Sequence, residues 1–251
     1  MSEESQEVLA LIPARGGSRS LPRKNVRPLA GRPLLAWSVA AARASPGVGR
    51  VVLSTDDEEI RTIGRAAGAE APFLRPAELA RDDTMDLPVF EHALRWLERE
   101  EGYRPSLVVQ LRPTSPLRPP GLVDRGIQLL RAHPQADSVR SVCPTLQNPF
   151  KMWRLEEPYL RPLLEGFGAE PYNMPRQKLP PTFWQTGQLD VARRATILGR
   201  RSMTGDHILP LIVDPAYAVD VDSPQQWPQL EWLVVHGGLD LVWPEGFDVP
   251  A

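Results

Sequence analysis

The segment Leu11-Ile12-Pro13-Ala14-Arg15-Gly16-Gly17-Ser18-Arg19-Ser20-Leu21-Pro22-Arg23-Lys24-Asn25 concentrates the residue types that can hold a polyphosphate. Gly16 and Gly17 let backbone N–H groups approach an anion with no Cβ in the way. Arg15, Arg19, Arg23 and Lys24 add fixed positive charge. A triphosphate needs both, dipoles for its oxygens and cations for a departing pyrophosphate. The loop matches neither G-x-x-x-x-G-K-[ST] nor G-x-G-x-x-G, and its composition also suits a solvated basic loop. A second candidate is Val219-Asp220-Val221-Asp222. On a strand, residues two apart face the same side, and two carboxylates so placed make a hard oxygen site for Mg²⁺, completed by phosphate and water. The competing reading makes Asp222 a local cap for the helix that follows.

Both segments need a scaffold that ends strands where loops can gather. Apolar runs at 8–12, 51–54, 107–111 and 138–143 read as buried strands, and helical patterns fall between them, at about 33–44, 57–67, 87–102 and up to about 132. Such alternation predicts an α/β fold with a mainly parallel sheet covered by helices on both faces. Ligands then bind beyond the carboxyl ends of the strands, where the glycine/basic loop emerges. Weaker strand patterns follow at 183–191, 208–213 and 218–221, and Ser223-Pro224 is a fitting N-cap and N1 pair for a last helix to about 236. The stretch 144–181, rich in Pro, Asn and aromatics, breaks the rhythm and is expected to be an inserted lobe. The last dozen residues read as a tail.

Bulk properties narrow the function classes. The chain of 251 residues is 42% hydrophobic and carries a formal net charge of -2, which suits one domain and gives no footprint for nucleic acid or an anionic membrane. The lone Cys143 excludes an internal disulfide and a cysteine metal cluster. The acidic N-terminus lacks the apolar core of a signal peptide, and no apolar run has membrane-spanning length, so the expected location is cytoplasmic.

The loop ending in Leu21-Pro22-Arg23-Lys24-Asn25, then Arg75-Pro76-Ala77-Glu78-Leu79-Ala80, Pro113-Thr114-Ser115-Pro116-Leu117-Arg118, Pro175-Arg176-Gln177 and Asp220-Val221-Asp222 occur in this order. Together they resemble the acylneuraminate cytidylyltransferases, or CMP-sialic acid synthetases, over about residues 8–236. The resemblance implies a Rossmann-like nucleotidyltransferase fold in which 144–181 is a dimerisation lobe, hence a homodimer. It implies transfer of CMP from CTP to the anomeric hydroxyl of an α-keto sugar acid, with release of pyrophosphate. By motif, Ala14, Arg15, Gly16, Gly17, Lys24, Asn25, Arg75 and Asp86 would bind the nucleotide, with Arg15 and Lys24 on its phosphates. Asp220 and Asp222 would hold Mg²⁺, and Arg112, Thr114, Ser115, Arg176, Gln185 and Thr186 would face the acceptor.

Three positions depart from the family pattern. Arg112 stands where glutamine is usual; it either meets an anionic group on the acceptor or is paired with a nearby acid. Trp184-Gln185-Thr186-Gly187 replaces Arg-x-Asn-Gly, so the acceptor can differ from sialic acid, or Trp184 can pack within the lobe. Asp86 replaces a serine near the base. It would accept from the cytosine amino group or pair with two guanine N–H donors, or it caps the helix beginning near Leu87. The alternatives are the same fold with GTP, or with a sugar phosphate or Kdo-like acceptor, and more remotely a non-catalytic nucleotide-sugar-binding protein.

Overall fold

The computed structural model describes residues 7–18 and 21–247. Arg19, counted above among the loop cations, lies outside the described residues, as does the N-terminal stretch read as lacking a signal peptide. The strands are β1 (Val8–Pro13), the short pair β2 (Pro28–Leu29) and β3 (Arg32–Pro33), β4 (Arg50–Ser54), β5 (Leu107–Gln110), β6 (Ser138–Pro144), β7 (Trp153–Glu156), β8 (Tyr159–Pro162), β9 (Phe183–Arg193) and β10 (Ile208–Ile212). The helices are α1 (Leu34–Arg43), α2 (Glu58–Ala66), α3 (Asp86–Glu101), α4 (Leu122–Arg131), α5 (Arg194–Leu198) and α6 (Gln226–His236).

Six strands form one sheet in the order β10-β6-β9-β5-β1-β4. All its pairings are parallel except those of β9, which runs antiparallel to both β5 and β6. The expected α/β architecture is therefore present, with one reversed strand inside it. β1 lies between β4 and β5, so the connections leaving β1 and β5 diverge at the carboxyl edge. That is the switch point at which a crevice opens.

The centre of the sheet is buried on both faces because β1, β4 and β5 are mostly apolar. Val8, Ala10 and Ile12 pack with α1, α2 and α4 on one side, and Leu9 and Leu11 pack with α3 and α5 on the other. A third apolar cluster joins Leu21, Leu29, Trp37, Leu117, Val221, Trp227 and Leu241, and so ties the loops after β1 and β5 to α6.

Three expectations are corrected. Residues 218–221 form no strand; a short 3-10 turn at Pro215–Tyr217 precedes them. α6 starts at Gln226, with no side-chain cap from Ser223. Instead the Gln226 side chain turns back, and its Oε1 accepts the N–H groups of Asp222 and Ser223, both at 2.8 Å. The described part of the C-terminal stretch is packed: Trp243 meets Trp37 at 4.9 Å between ring centroids, and Arg32 lies 5.0 Å over its ring.

Residues 144–181 carry a separate two-stranded antiparallel sheet, β7 with β8, and three short 3-10 turns. Aromatic pairs hold this arm together, Trp153 with Tyr172 at 4.5 Å and Phe150 with Phe167 at 5.2 Å. Among the described residues no helix is long and apolar enough to cross a membrane. Removing the Trp243 ring should cost about 1–2 kcal/mol, since that side chain is only partly covered. Trp243→Ala is thus expected to lower Tm by about 3–6 °C, and an unchanged Tm in thermal unfolding would show the segment to be unattached.

Candidate active site

The glycine/basic loop leaves β1 and closes on itself. Ala14 is buried and its N–H donates to Ser54 O at 3.0 Å, so it supports the loop from beneath. Gly16 does not present a free N–H to the cleft: that group donates to Asp56 Oδ1 at 3.0 Å. Glycine is needed there because an added Cβ would lie 2.8 Å from Asp57 Oδ2. Gly17 faces open space. Asn25 is buried and its side-chain amide donates to Arg15 O at 2.9 Å, drawing the two ends of the loop together. Arg23 turns away, pairing with Asp57 at 2.6 Å and with Glu59, so it contributes no charge to the cleft.

A cleft of about 430 Å³ opens beside this loop. Arg15, Gly17, Lys24 and Asn25 line it, together with Arg75, Asp86, Arg112, Thr114 and Asp222. The structure thus brings these predicted positions together in one cleft. Arg75 is 5% exposed, and its guanidinium donates to Ser54 Oγ at 3.1 Å and also to Ser54 O. Burial pushes it down to about 10, with Asp56 and Asp86 opposing that shift. It remains a cation near neutral pH. Arg15 reaches across the mouth of the cleft to Asp82, 2.6 Å away.

The carboxylate segment is anchored by the residue between its two acids. Val221 is fully buried in the third apolar cluster. Its N–H donates to Thr114 O at 2.8 Å, and its C=O accepts from Lys24 Nζ at 2.9 Å. Lys24 Nζ also lies 3.5 Å from Asp222 Oδ1. One apolar residue thus joins the loop after β1, the loop after β5 and both acids. Asp222 is exposed at the cleft, whereas Asp220 sits behind it and accepts a hydrogen bond from the Ser115 hydroxyl. Burial raises the Asp220 carboxyl above its ordinary value. Ser115 opposes this, Asp222 adds to it, and Arg112 and Arg118 oppose it.

Gly187 makes room for that pair, because a Cβ there would lie 2.1 Å from Ser115 Oγ and 3.1 Å from Asp220 Oδ1. It belongs to an irregularity in β9: Arg140 pairs with Asp190 and Val142 with Gln185, so residues 186–189 stand opposite Ser141 alone. The Ser141 hydroxyl closes the bulge, accepting from Leu189 N at 3.0 Å and donating to Thr186 O at 3.2 Å. Thr186 is 1% exposed and its hydroxyl lies 2.8 Å from Ser141 Oγ, so it braces the strand and forms no wall of the cleft.

Arg112 is paired twice. Its guanidinium lies 2.8 Å from Asp86 and 2.9 Å from Asp190. Burial would lower its pKa, but the two carboxylates more than offset that and keep it charged. The paired reading of Arg112 therefore holds. Asp86 is the first residue of α3, not its cap, and joins Arg112 through its side chain. Asp190 also takes Arg140, at 2.8 Å, and Arg140 reaches Gln185 Oε1 at 3.0 Å. Gln185 is exposed on β9 beyond this row. Arg176 lies on the arm, where it donates to Thr145 O at 3.2 Å, and does not line the cleft. Asp82, Asp190, Arg140 and Val221 escape the sequence reading of roles. Only Asp82, in a polar loop between two elements, carries a local signal.

What this cleft offers is fixed charge for a polyphosphate, and on a parallel sheet opened at its switch point that is the equipment of a nucleotidyltransferase. The comparisons agree. A family profile described as cytidylyltransferase matches residues 9–162. The CMP-N,N'-diacetyllegionaminic acid synthase of Legionella pneumophila is 30% identical over 90% of this chain and 96% of its own length. An N-acylneuraminate cytidylyltransferase of Oncorhynchus mykiss is 27% identical over 94% of this chain and 52% of its own. The chain belongs to the cytidylyltransferase family. Among solved structures, a CMP:2-keto-3-deoxy-manno-octonic acid synthetase complexed with CTP shares the fold, with a TM-score of 0.68, 16% identity and coverage of 92% of this chain and 99% of that one.

Two outcomes follow from the Ser115–Asp220–Gly187 contact. Gly187→Ala must displace Ser115 and Asp220, so turnover should fall at least about 100-fold while the protein loses on the order of 1–3 kcal/mol; near-normal turnover in a pyrophosphate-release assay would place the pair outside the chemistry. Ser115→Ala removes a hydrogen bond that favours the ionised acid, so the Asp220 carboxyl should rise further. The acid limb of kcat/KM should then move to higher pH, and an unmoved or lowered limb would contradict the assignment.

Proposed function

We propose that this protein transfers CMP from CTP to the anomeric hydroxyl of an α-keto sugar acid and releases pyrophosphate. The observation that carries this reading is the convergence on Val221, which sets Lys24 and Asp222 in the cleft wall with Asp220 behind them, while Arg75 and Asp86 line the same cleft. The relatives named above carry the same activity type in their names, which supports a sugar acid as acceptor.

In this reading Arg15 exchanges Asp82 for a phosphate oxygen, and Lys24 places its charge beside the departing pyrophosphate. Neither forms a bond to the substrate; positioning and charge neutralisation suffice for phosphoryl-type transfer. The acceptor enters past Thr114 and the Arg112 wall, toward the acids.

Mg²⁺ fits the acids. Among the described residues no three His, Cys, Asp or Glu side chains form a self-contained metal site. Two adjacent carboxylates, one of them raised by burial and by the other's charge, instead suit a dication that takes its remaining ligands from substrate and water. Bound there, Mg²⁺ would lend Lewis-acid charge to phosphate oxygens and acidify the acceptor hydroxyl.

We assign the homodimer contact to the arm at 144–181. Leu155, Tyr159 and Leu160 on its hairpin are 67%, 65% and 59% exposed, an apolar surface that a second copy would cover. Arg176 can then serve an acceptor only in the cleft of that second copy. A cytoplasmic location belongs to the same reading.

The test is pyrophosphate release from CTP, GTP, UTP and ATP with Mg²⁺, against sialic, legionaminic, pseudaminic and Kdo-type acids and sugar 1-phosphates. Release with CTP and a keto sugar acid is expected, and release only with a sugar 1-phosphate would overturn the acceptor assignment. Asp220→Asn should cut turnover roughly 100- to 1000-fold by removing charge at the metal site; wild-type rates would remove the metal from that position.

A further inference from the structure

Asp86 is held in an unusual way for a carboxylate that lines a substrate cleft. Its Oδ2 accepts from Gln110 Nε2 at 2.8 Å and from Arg112 Nη2 at 2.8 Å, while its Oδ1 accepts from no described residue. The side chain is 38% exposed, and the cleft runs past it between Arg75, Thr84 and Val89. Gln110 is 2% exposed, and its Oε1 has no hydrogen-bond partner among the described residues. The amide cannot turn over to relieve that, because its oxygen would then face a carboxylate. The buried Gln110 amide and the partly buried Arg112 guanidinium therefore saturate one oxygen of Asp86, and the other is left as a single acceptor of fixed direction.

We propose that Gln110 and Arg112 act as positioning residues that make Asp86 Oδ1 the reader of the exocyclic amino group of cytosine. The inference rests on the nucleotide reading given above and names the atom that selects the base. A carboxylate recognises guanine through two adjacent N–H donors, which need both oxygens; here one is spent inside the protein. Uracil presents a carbonyl where cytosine presents the amino group, and two acceptors would then face each other. Only a base with one amino donor at this position satisfies the arrangement.

The discriminating variant is Asp86→Asn. Arg112 and Gln110 would pin the new carbonyl oxygen, so the amide NH₂ would point into the cleft as a donor. It would oppose the cytosine amino group and match the uracil carbonyl. The CTP-over-UTP ratio of kcat/KM is expected to fall at least about 100-fold in the folded variant. Adding Arg112→Met frees the amide to rotate and should restore part of the ratio, a readout that a merely structural role for Arg112 would not move.

A measurement on the unaltered enzyme covers the case in which Asp86→Asn does not fold. The triphosphate of pyrimidin-2-one riboside keeps N3 and O2 but lacks the amino group, and its kcat/KM should lie about 100-fold below that of CTP. Equal use of the two triphosphates would overturn the proposal, as would a folded Asp86→Asn protein that keeps its CTP preference or loses CTP and UTP alike. Failure of the unaltered protein to turn over any nucleoside triphosphate would instead strike the parent reading.

Discussion

The site hangs on the burial of Val221. Two carboxylates separated by one residue repel each other and prefer water, so nothing in the acids themselves would hold them beside a cleft. Val221 supplies the force: its side chain is fully buried among Leu21, Leu117 and Trp227, and its backbone is tied to Thr114 and Lys24. Burying a valine is worth about 1.5 kcal/mol or more, and the two hydrogen bonds fix its direction. The acids are thereby presented as the flanks of an apolar anchor. Lys24, held by the carbonyl of that anchor, sets its charge against Asp222 in the same contact.

The rest of the scaffold can be understood as making that junction possible. β1 and β5 are adjacent and parallel, so the loops after them leave the same edge of the sheet side by side. The reversed strand β9 then passes beside β5, and its bulge at 186–189 lets Gly187 come up against Ser115 and Asp220. A regular strand with a side chain at that position would push Asp220 away. Arg118, buried with no carboxylate in contact among the described residues, donates to the carbonyls of Gln188 and Arg112 and to Ser38 Oγ, so one guanidinium fastens the loop after β5 to the bulge. Burial pushes it down to about 9, which leaves it positive near neutral pH, and its charge helps to offset that of Asp220.

Local pattern and long-range contact divide what was legible in the sequence. The strands with continuous apolar runs, the amphipathic helices and the glycine/basic loop all announce themselves within a window of a few residues, and the structure has them. Residues 218–221 show why a pattern can mislead. Val221 points inside as the alternation implies, but its backbone partners are a loop carbonyl and a lysine, so no strand forms, and Asp220 is itself partly buried. Thr186 misleads for the opposite reason. It sits in a segment that matches a pocket wall by motif, yet the bulge closed by Ser141 turns its hydroxyl inward. The Trp243 contact with Trp37 depends on two residues far apart in sequence, and nothing near either one foretells it.

The row Asp86–Arg112–Asp190–Arg140 shows how a charged residue at position 112 depends on its neighbours. Gln110 lies on the face of β5 that Val108 buries lower down, Arg112 follows just beyond the end of the strand, and Asp190 sits opposite Gln110 in the antiparallel register. An arginine introduced alone at position 112 would be a partly buried cation without a counter-charge, which costs several kcal/mol. With Asp190 on one side and Asp86 on the other, the charge is compensated, and Arg140 in turn compensates Asp190. The four residues alternate in sign and sum to zero. Because they act as a unit, replacing any one of them leaves a neighbour short of a counter-charge. The cleft wall at Asp86 and the wall beyond Asp190 are therefore one electrostatic object, and a change of charge at either end must be accommodated along the whole row.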